Sequence, residues 1–245
     1  MTGYRSRRRW VAAALGALLM AIAVTAGIAF RSHSSGYAPR PPGERPALLL
    51  LTSLPIVFPE EFTLEGVGSP ALTVLQSRYR VIPISVADRQ SLDQHRLLLM
   101  AQPRAQPAEV LVELDQWVRS GGRVLLLADP ALQWPSQRPL GDALRPPLAY
   151  ADTGLLGHWG LRLDSSDDLG STVIEAAGHR ISTAAPGELV ASGRECTVDE
   201  ARLIARCRIG LGTATVIADA DFLDSERLGA ANLELLLAEL DRLER

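Results

Sequence analysis

The chain of 245 residues is 47% hydrophobic and 22% charged, with a formal net charge of −3. This length and composition fit one sizeable globular domain with appendages. All 25 basic residues are arginines, and five of them lie at or before Arg31, in a segment without acidic residues. Removing those five charges changes the net charge from −3 to −8, which argues against nucleic acid as a partner because phosphate backbones attract cations.

Residues 10–30 form an uncharged run of 21 residues that follows four arginines. About 20 apolar residues cross a bilayer as a helix, and arginines keep the flank that carries them in the cytoplasm. We therefore predict a cytoplasmic basic segment (1–9), a single-pass anchor (10–30) in the inner, cytoplasmic membrane, and a C-terminal domain on the periplasmic side. The alternative is a cleaved signal sequence, whose apolar core is usually only about 7–15 residues long.

A segment rich in proline and serine (31–46) is predicted to tether the exported domain (47–245). From there, apolar runs of strand length alternate with helical patterns, which predicts right-handed βαβ units and a parallel sheet. The predicted strands of this half are 47–52, 79–84, 97–101 and 124–128, with a helix over 70–78 and a short polar turn over 88–95.

The stretch 107–130 is the centre of this arrangement. Pro107 suits the first position of a helix, apolar residues then recur at helical spacing, and Gly121-Gly122 ends the helix because glycine enters the left-handed region without steric cost. Residues 124–128 are apolar without alternation, as in a strand buried on both faces. The stretch therefore predicts a helix that leads into a central parallel strand.

A proline-rich loop (131–150) interrupts the pattern. Loops longer than about 12–15 residues are uncommon and often functional. This one carries Trp134 and Tyr150, and aromatic residues are enriched at interfaces. We expect these two side chains to contact a partner; the alternative is that Trp134 folds back onto the sheet.

The last hundred residues add shorter elements. Their sequence predicts a short helix (152–159), a short strand (161–163) and two alternating stretches joined by an Ala177-Gly178 turn. We expect these two stretches and a cysteine hairpin to form an antiparallel extension of the sheet. A buried strand over 213–218 and an amphipathic helix over 230–245 complete the domain.

The two cysteines, Cys196 and Cys207, flank that hairpin. If Val198 faces Ala205, the cysteines lie directly opposite each other at a spacing near that of a disulfide. An exported domain would permit the bond; the alternative is two unrelated buried thiols. Two cysteines without a nearby histidine do not complete a zinc site, so no metal is predicted.

Two blocks resemble a known family, and the predicted N-terminal membrane anchor also agrees with it. The helix, the glycine stop and the GGRVLLLADP sequence within 97–130, and the ending GLGTATVIADADFLDS…NLELLLAEL within 210–240, are similar to auxiliary ABC-transporter proteins related to the gliding-motility protein GldG. The resemblance covers about a third of the chain. It implies an exported α/β domain with a flavodoxin-like, class I glutamine amidotransferase-like fold, acting beside a transporter's ATPase and permease. The chain departs from longer members in its size and in having no C-terminal transmembrane segment.

An amidotransferase needs a cysteine on a sharp turn after its central strand, with a histidine and an acid nearby. Here the third strand is followed by Gln102, and the four histidines are scattered, so we predict no catalytic residues and no cofactor. Asp129, Asp219 and Asp221 each follow a buried strand, and ligands of doubly wound sheets bind beyond strand ends. These carboxylates are the ligand-site candidates, for a cation or a polar ligand; the alternative is that they form turns and backbone caps.

The sequence thus predicts a non-catalytic, membrane-anchored accessory or binding subunit of an ABC-type transport system. One alternative is a degenerate amidotransferase-like domain that senses a small ligand at its strand ends. Another is a hydrolase that uses the aspartates.

Overall fold

The computed structural model describes residues 37–60, 68–166 and 170–245. The chain divides into two compact units, Met1–Ala38 and Pro39–Arg245, and all elements given below belong to the second. The predicted anchor (10–30) lies outside the described residues. None of the helices that are described is long and apolar enough to cross a bilayer.

The strands and helices alternate through the first half of the domain and give way to strands in the second. The strands are β1 (Ala47–Thr52), β2 (Arg80–Ile84), β3 (Leu97–Ala101), β4 (Arg123–Leu127), β5 (Leu161–Asp164), β6 (Ser171–Ala176), β7 (His179–Ala184), β8 (Glu188–Ala191), β9 (Cys196–Val198), β10 (Ile204–Ile209) and β11 (Gly212–Ile217). The helices are α1 (Pro70–Arg78), α2 (Arg89–Leu92), α3 (Ala108–Arg119), α4 (Leu155–His158), α5 (Ser225–Leu228) and α6 (Asn232–Glu244), with short 3-10 turns at Pro42–Glu44 and Asp221–Leu223.

The main sheet has seven strands in the order β2-β1-β3-β4-β11-β10-β9. The first five are mutually parallel and β10 is antiparallel to both its neighbours. Every residue of β3 is buried, as expected where helices cover both faces of a parallel sheet; α6 packs against β4 and α3 against β11. The predicted α/β class with a mostly parallel sheet is confirmed.

The central unit forms as its sequence indicates, with a shift of one residue at the start. Pro107 precedes the helix rather than opening it, and α3 begins at Ala108. At the other end Gly121 has a φ of +107°, and Gly122 donates its N–H to the Trp117 carbonyl at 3.0 Å. The glycine stop thus satisfies carbonyls that the helix leaves without partners.

The antiparallel extension is smaller than predicted. The pair β9–β10 joins the main sheet, but β6 and β7 pair only with each other in a separate two-stranded sheet. The physical reason is a side chain of α6: Asn232 accepts a hydrogen bond from the Ser182 N–H at 2.9 Å and donates to the Ser182 carbonyl at 2.7 Å. This amide holds the hairpin against the C-terminal helix. The short strand β8, which pairs with β5, was not predicted.

The cysteine hairpin has the predicted register. Val198 faces Ala205 and Cys196 faces Cys207, and the two cysteines form a disulfide with Cα atoms 4.0 Å apart. The predicted bond is confirmed.

The folded unit begins before the predicted domain start. Within the predicted tether (31–46), Arg40 donates its N–H to the Ser77 carbonyl at 2.9 Å, and its guanidinium pairs with Asp241 and Glu244 on α6 at 3.4 and 3.0 Å. The guanidinium also lies over the Tyr79 ring, 5.2 Å from its centroid. The C-terminal part of the tether is therefore packed onto the domain from Pro39 onward.

Candidate functional site

The three predicted aspartates come together at the edge of the sheet where the parallel strands end, which we call the carboxyl edge. Asp129 follows β4, Asp219 and Asp221 follow β11, and β4 and β11 are neighbours. Their exposed fractions are 0%, 1% and 0%. We refer to these three residues as the acid cluster. The sequence predicted its convergence but not its complete burial.

Asp129 closes the turn after β4. Its two carboxylate oxygens accept hydrogen bonds from the N–H groups of Ala131 at 2.8 Å and Ala220 at 3.0 Å. Its backbone carbonyl accepts from the Tyr150 N–H at 2.6 Å. Asp129 therefore ties together both ends of the loop 131–150 and the turn after β11.

The carboxylates of Asp219 and Asp221 also accept hydrogen bonds from backbone N–H groups. Asp219 Oδ1 accepts from the Phe222 N–H at 3.0 Å, while the buried Asp219 Oδ2 has no hydrogen-bond partner among the described residues. Asp221 Oδ2 accepts from the Gln133 N–H at 2.7 Å and Oδ1 from Arg227 Nη2 at 3.1 Å. Asp221 thus adds a further attachment point for the loop 131–150.

Burial disfavours the charged form of all three carboxyl groups. It raises the pKa of Asp129 to about 7 and the pKa of Asp221 to about 6, where the Gln133 N–H and the Arg227 guanidinium limit the rise. The pKa of Asp219 is raised well above its ordinary value by burial and by the neighbouring Asp129. In the part of the chain that is described, no three acid, histidine or cysteine side chains could together hold a metal ion. The hydrogen bonds from the cluster to Ala131, Gln133 and Ala220 hold the loop 131–150 against the turn after β11, so we call the cluster a buried clamp.

Gln102 completes the clamp, and sequence reasoning did not identify it. It directly follows β3, is completely buried and has a φ of +44°, a strained value for a residue other than glycine. Its side-chain oxygen accepts from the Asp129 N–H at 2.9 Å and its amide donates to the Asp129 carbonyl at 3.0 Å. The only sequence signal for this role was its position, directly after a buried strand.

The two aromatic candidates occupy different places. Trp134 is half-buried and lines a wide groove of about 970 Å³ between the start of α1 and α5. Tyr150 is held through its backbone N–H by Asp129, and burial raises the pKa of its hydroxyl. Tyr150 does not line that groove, so the two residues do not share one cavity.

A second, smaller groove of about 300 Å³ lies over the carboxyl ends of β1 and β2; we call it the edge groove. Its walls include Leu54, Ile84 and Leu144, and Arg104 and Arg138 also line it. β1 runs between β2 and β3, so the groove opens beside the point at which the strand order reverses. Such switch points are the usual ligand positions in open α/β sheets.

No family model and no curated protein matches the chain. Among solved structures, the cytoplasmic protein STM3548 from Salmonella typhimurium is similar with a TM-score of 0.53 and 10% identity, over 80% of this chain and 98% of that one. The mmIFT52 N-terminal domain is similar with a TM-score of 0.51 and 13% identity, over 81% and 97% of the two chains. At such identities these likenesses show the α/β fold alone.

A third similar structure is the exo-β-1,4-mannosidase Op5Man5 from Opitutaceae bacterium strain TAV5, at 12% identity and a TM-score of 0.49. The match covers 80% of this chain and 36% of the mannosidase. The chain therefore spans about a third of the length of that enzyme.

Proposed function

We propose that the chain is a non-catalytic, membrane-anchored accessory subunit of an ABC-type transport system, with a flavodoxin-like domain of amidotransferase type on the periplasmic side. The parallel strands follow the order β2-β1-β3-β4-β11, which corresponds to the flavodoxin-like order 2-1-3-4-5. The transporter assignment rests on the resemblance of 97–130 and 210–240 to GldG-related auxiliary proteins, and the anchor on residues 10–30.

The observation that carries the non-catalytic part is the state of Gln102. In an amidotransferase the strained turn after the central strand presents a nucleophile. Here the strained turn is present, with its φ of +44°, but the side chain is an amide whose oxygen and nitrogen are both bonded to the backbone of Asp129. A buried amide engaged in this way supplies neither a nucleophile nor a base.

The alternative of an Asp-dependent hydrolase has little support. A hydrolytic carboxylate must reach a water molecule or a substrate, whereas all three carboxylates are at most 1% exposed and five of their six oxygens are hydrogen-bonded within the protein. The alternative of a small-ligand sensor has one favourable observation, the edge groove, whose volume of about 300 Å³ lies at the lower limit of ordinary ligand pockets.

Co-purification tests the transporter assignment. The affinity-tagged full chain is extracted from membranes of the cells that produce it naturally, and bound proteins are identified by mass spectrometry. A tagged segment 1–46, which has the predicted anchor without the α/β domain, is the control. We expect an ATPase and a permease with the full chain and neither with the control. Equal recovery with both, or recovery with neither, would contradict the proposal.

Ligand sensing is tested separately, by thermal unfolding of the full chain in detergent micelles with a panel of small carboxylates and amides. A shift of several degrees that is lost in an Ile84→Asp variant would favour the sensor over the transporter subunit.

A further inference from the structure

Exposed large apolar side chains are concentrated in the two segments that follow β1 and β4. Of the seven large apolar side chains that are exposed among the described residues, four lie in the segments that follow β1 and β4: Phe58, Leu140, Leu144 and Leu148, with exposed fractions of 80%, 74%, 66% and 51%. We call these four residues the apolar rim. Phe58 and Leu144 line the edge groove itself, and exposed apolar side chains that come together at one place mark interaction sites.

The same surface carries three arginines that are linked to one another. Arg104 donates to the Arg145 carbonyl at 2.6 Å, and Arg145 donates to the Arg138 carbonyl. Arg138 lies 3.7 Å from Asp142, but Arg104 and Arg145 pair with no carboxylate among the described residues. Among the described residues of the edge groove and the loop 131–150, three arginines stand against the two carboxylates of Glu60 and Asp142, a formal excess of one positive charge.

We propose that the apolar rim and the edge groove bind an acidic, apolar peptide segment of a partner protein, with Leu144 and Phe58 contacting its apolar side chains and Arg104 and Arg145 its carboxylates. This inference rests on the proposed function to the extent that an accessory subunit must bind a protein. It adds the surface and the chemistry of the segment bound. Charge-assisted hydrogen bonds from arginine to carboxylate supply orientation, and the apolar contacts supply most of the affinity.

The shape of the surface favours a protein segment over an anionic bilayer. The edge groove, of about 300 Å³, is a concave feature that a peptide side chain can enter and the plane of a bilayer cannot.

Two matched variants separate the rim from the rest of the surface. The rim variant is Leu144→Ser with Arg104→Gln. The control variant is Leu211→Ser with Arg208→Gln, because Leu211 is 85% exposed and Arg208 is exposed, both at the amino edge of the sheet. Neither pair of substitutions removes a buried side chain.

The first assay uses the full chain in detergent micelles and two fluorescent helical probe peptides, one of repeating Glu-Glu-Leu-Leu and one of repeating Lys-Lys-Leu-Leu. We expect the acidic peptide to bind the wild type and the control variant, with affinity about tenfold or more lower for the rim variant and for the basic peptide. Equal binding of both peptides, equal binding by both variants, or no binding of the acidic peptide would overturn the proposal.

The second assay places a photo-crosslinking amino acid at Leu140 or Leu144 in cells, with Leu211 as the control position. The proposal requires adducts at the rim positions alone, with the crosslinked segment acidic and apolar by mass spectrometry. Adducts to lipid, to a second copy of the chain or to a basic segment would refute it. If the rim variant still co-purifies with an ATPase and a permease, the rim proposal fails while the proposed function stands. If the wild type binds the acidic peptide but co-purifies with neither an ATPase nor a permease, the rim proposal stands while the proposed function fails.

Discussion

The acid cluster predicts an unusual dependence of stability on pH. In the unfolded chain an aspartate loses its proton near pH 4. In the folded chain the pKa of Asp129 is about 7, that of Asp221 about 6, and that of Asp219 is well above its ordinary value. Between about pH 4 and pH 7 the folded chain therefore binds more protons, so its free energy of unfolding must fall as pH rises. The stabilisation is complete below about pH 4 and is lost as pH rises through the folded-state values.

The size of the effect follows from the number of protons. Each retained proton changes the free energy of unfolding by about 1.4 kcal/mol per pH unit. For a domain of this size, 1 kcal/mol corresponds to a change in Tm of about 2–4 °C. One retained proton therefore lowers the Tm by about 3–6 °C per pH unit, and the cluster retains up to three between about pH 4 and pH 6.

The perturbation is Asp219→Asn, which removes one titrating group but keeps an oxygen for the Phe222 N–H. We expect the variant to lose Tm less steeply than the wild type as the pH is raised from 4.5 to 7, measured by near-ultraviolet circular dichroism on the full chain in detergent micelles. Asp142→Asn, in the loop that the cluster holds, is the control and should follow the wild type. A wild-type Tm that is constant or rising over this interval would refute the reasoning, because the carboxyl groups would then be solvated and charged.

Three further predictions concern stability measured by guanidinium-induced unfolding. Gln102→Ala should lower the free energy of unfolding by about 1–3 kcal/mol, because a buried N–H loses its partner, and Gln102→Gly should lower it by about 1 kcal/mol less, since glycine tolerates the positive φ; equal losses would exclude backbone strain. Reducing the Cys196–Cys207 bond, which joins residues 11 apart, should cost about 3 kcal/mol, and a variant with both cysteines changed to alanine should not respond to reductant. Gly212→Ala should cost about 1–3 kcal/mol or more, since a Cβ there would lie 2.1 Å from the Val118 carbonyl oxygen in α3, whereas Gly170→Ala, with nothing within 4 Å, should be neutral; similar stability of the two would contradict this.

The sequence correctly predicted the elements whose formation depends on residues close together in the chain. The run 97–101 is continuously apolar and forms β3 with identical bounds. The cysteine pairing followed from register alone. The strand β8 was missed because four residues, one of them polar, have too short a pattern. The pairing of β6 with β7 was predicted, but their separation from the main sheet was not, since the Asn232 amide that holds the hairpin lies 50 residues away from Ser182.

At the candidate site, too, local patterns predicted some features and missed others. Strand ends followed by aspartate located the acid cluster, because parallel strands end at a common edge. Burial could not be predicted, since the loop 131–150 that covers the cluster has no helix or strand anywhere along its described length. The role of Gln102 depends on its hydrogen bonds with Asp129, which lies 27 residues further along the chain. Local sequence patterns cannot reveal a contact over that separation.

The carboxyl edge is thus divided into two halves with different chemistry. Over β4 and β11 the acid cluster and Gln102 hold the loop 131–150 through hydrogen bonds to its backbone, so the loop closes this half. Over β1 and β2 the edge groove remains open, and one of its walls is Leu144, which the closed half supports through that same loop. The buried carboxyl groups that hold the loop 131–150 lower the free energy of unfolding as pH rises. We infer that the position of this loop matters for function. We predict that the two halves are coupled through this loop. Gln102→Ala should then move Leu144 and reduce the affinity for the acidic probe peptide, although Gln102 lies outside the proposed contact. Unchanged affinity in a folded Gln102→Ala chain would show that the clamp serves stability alone.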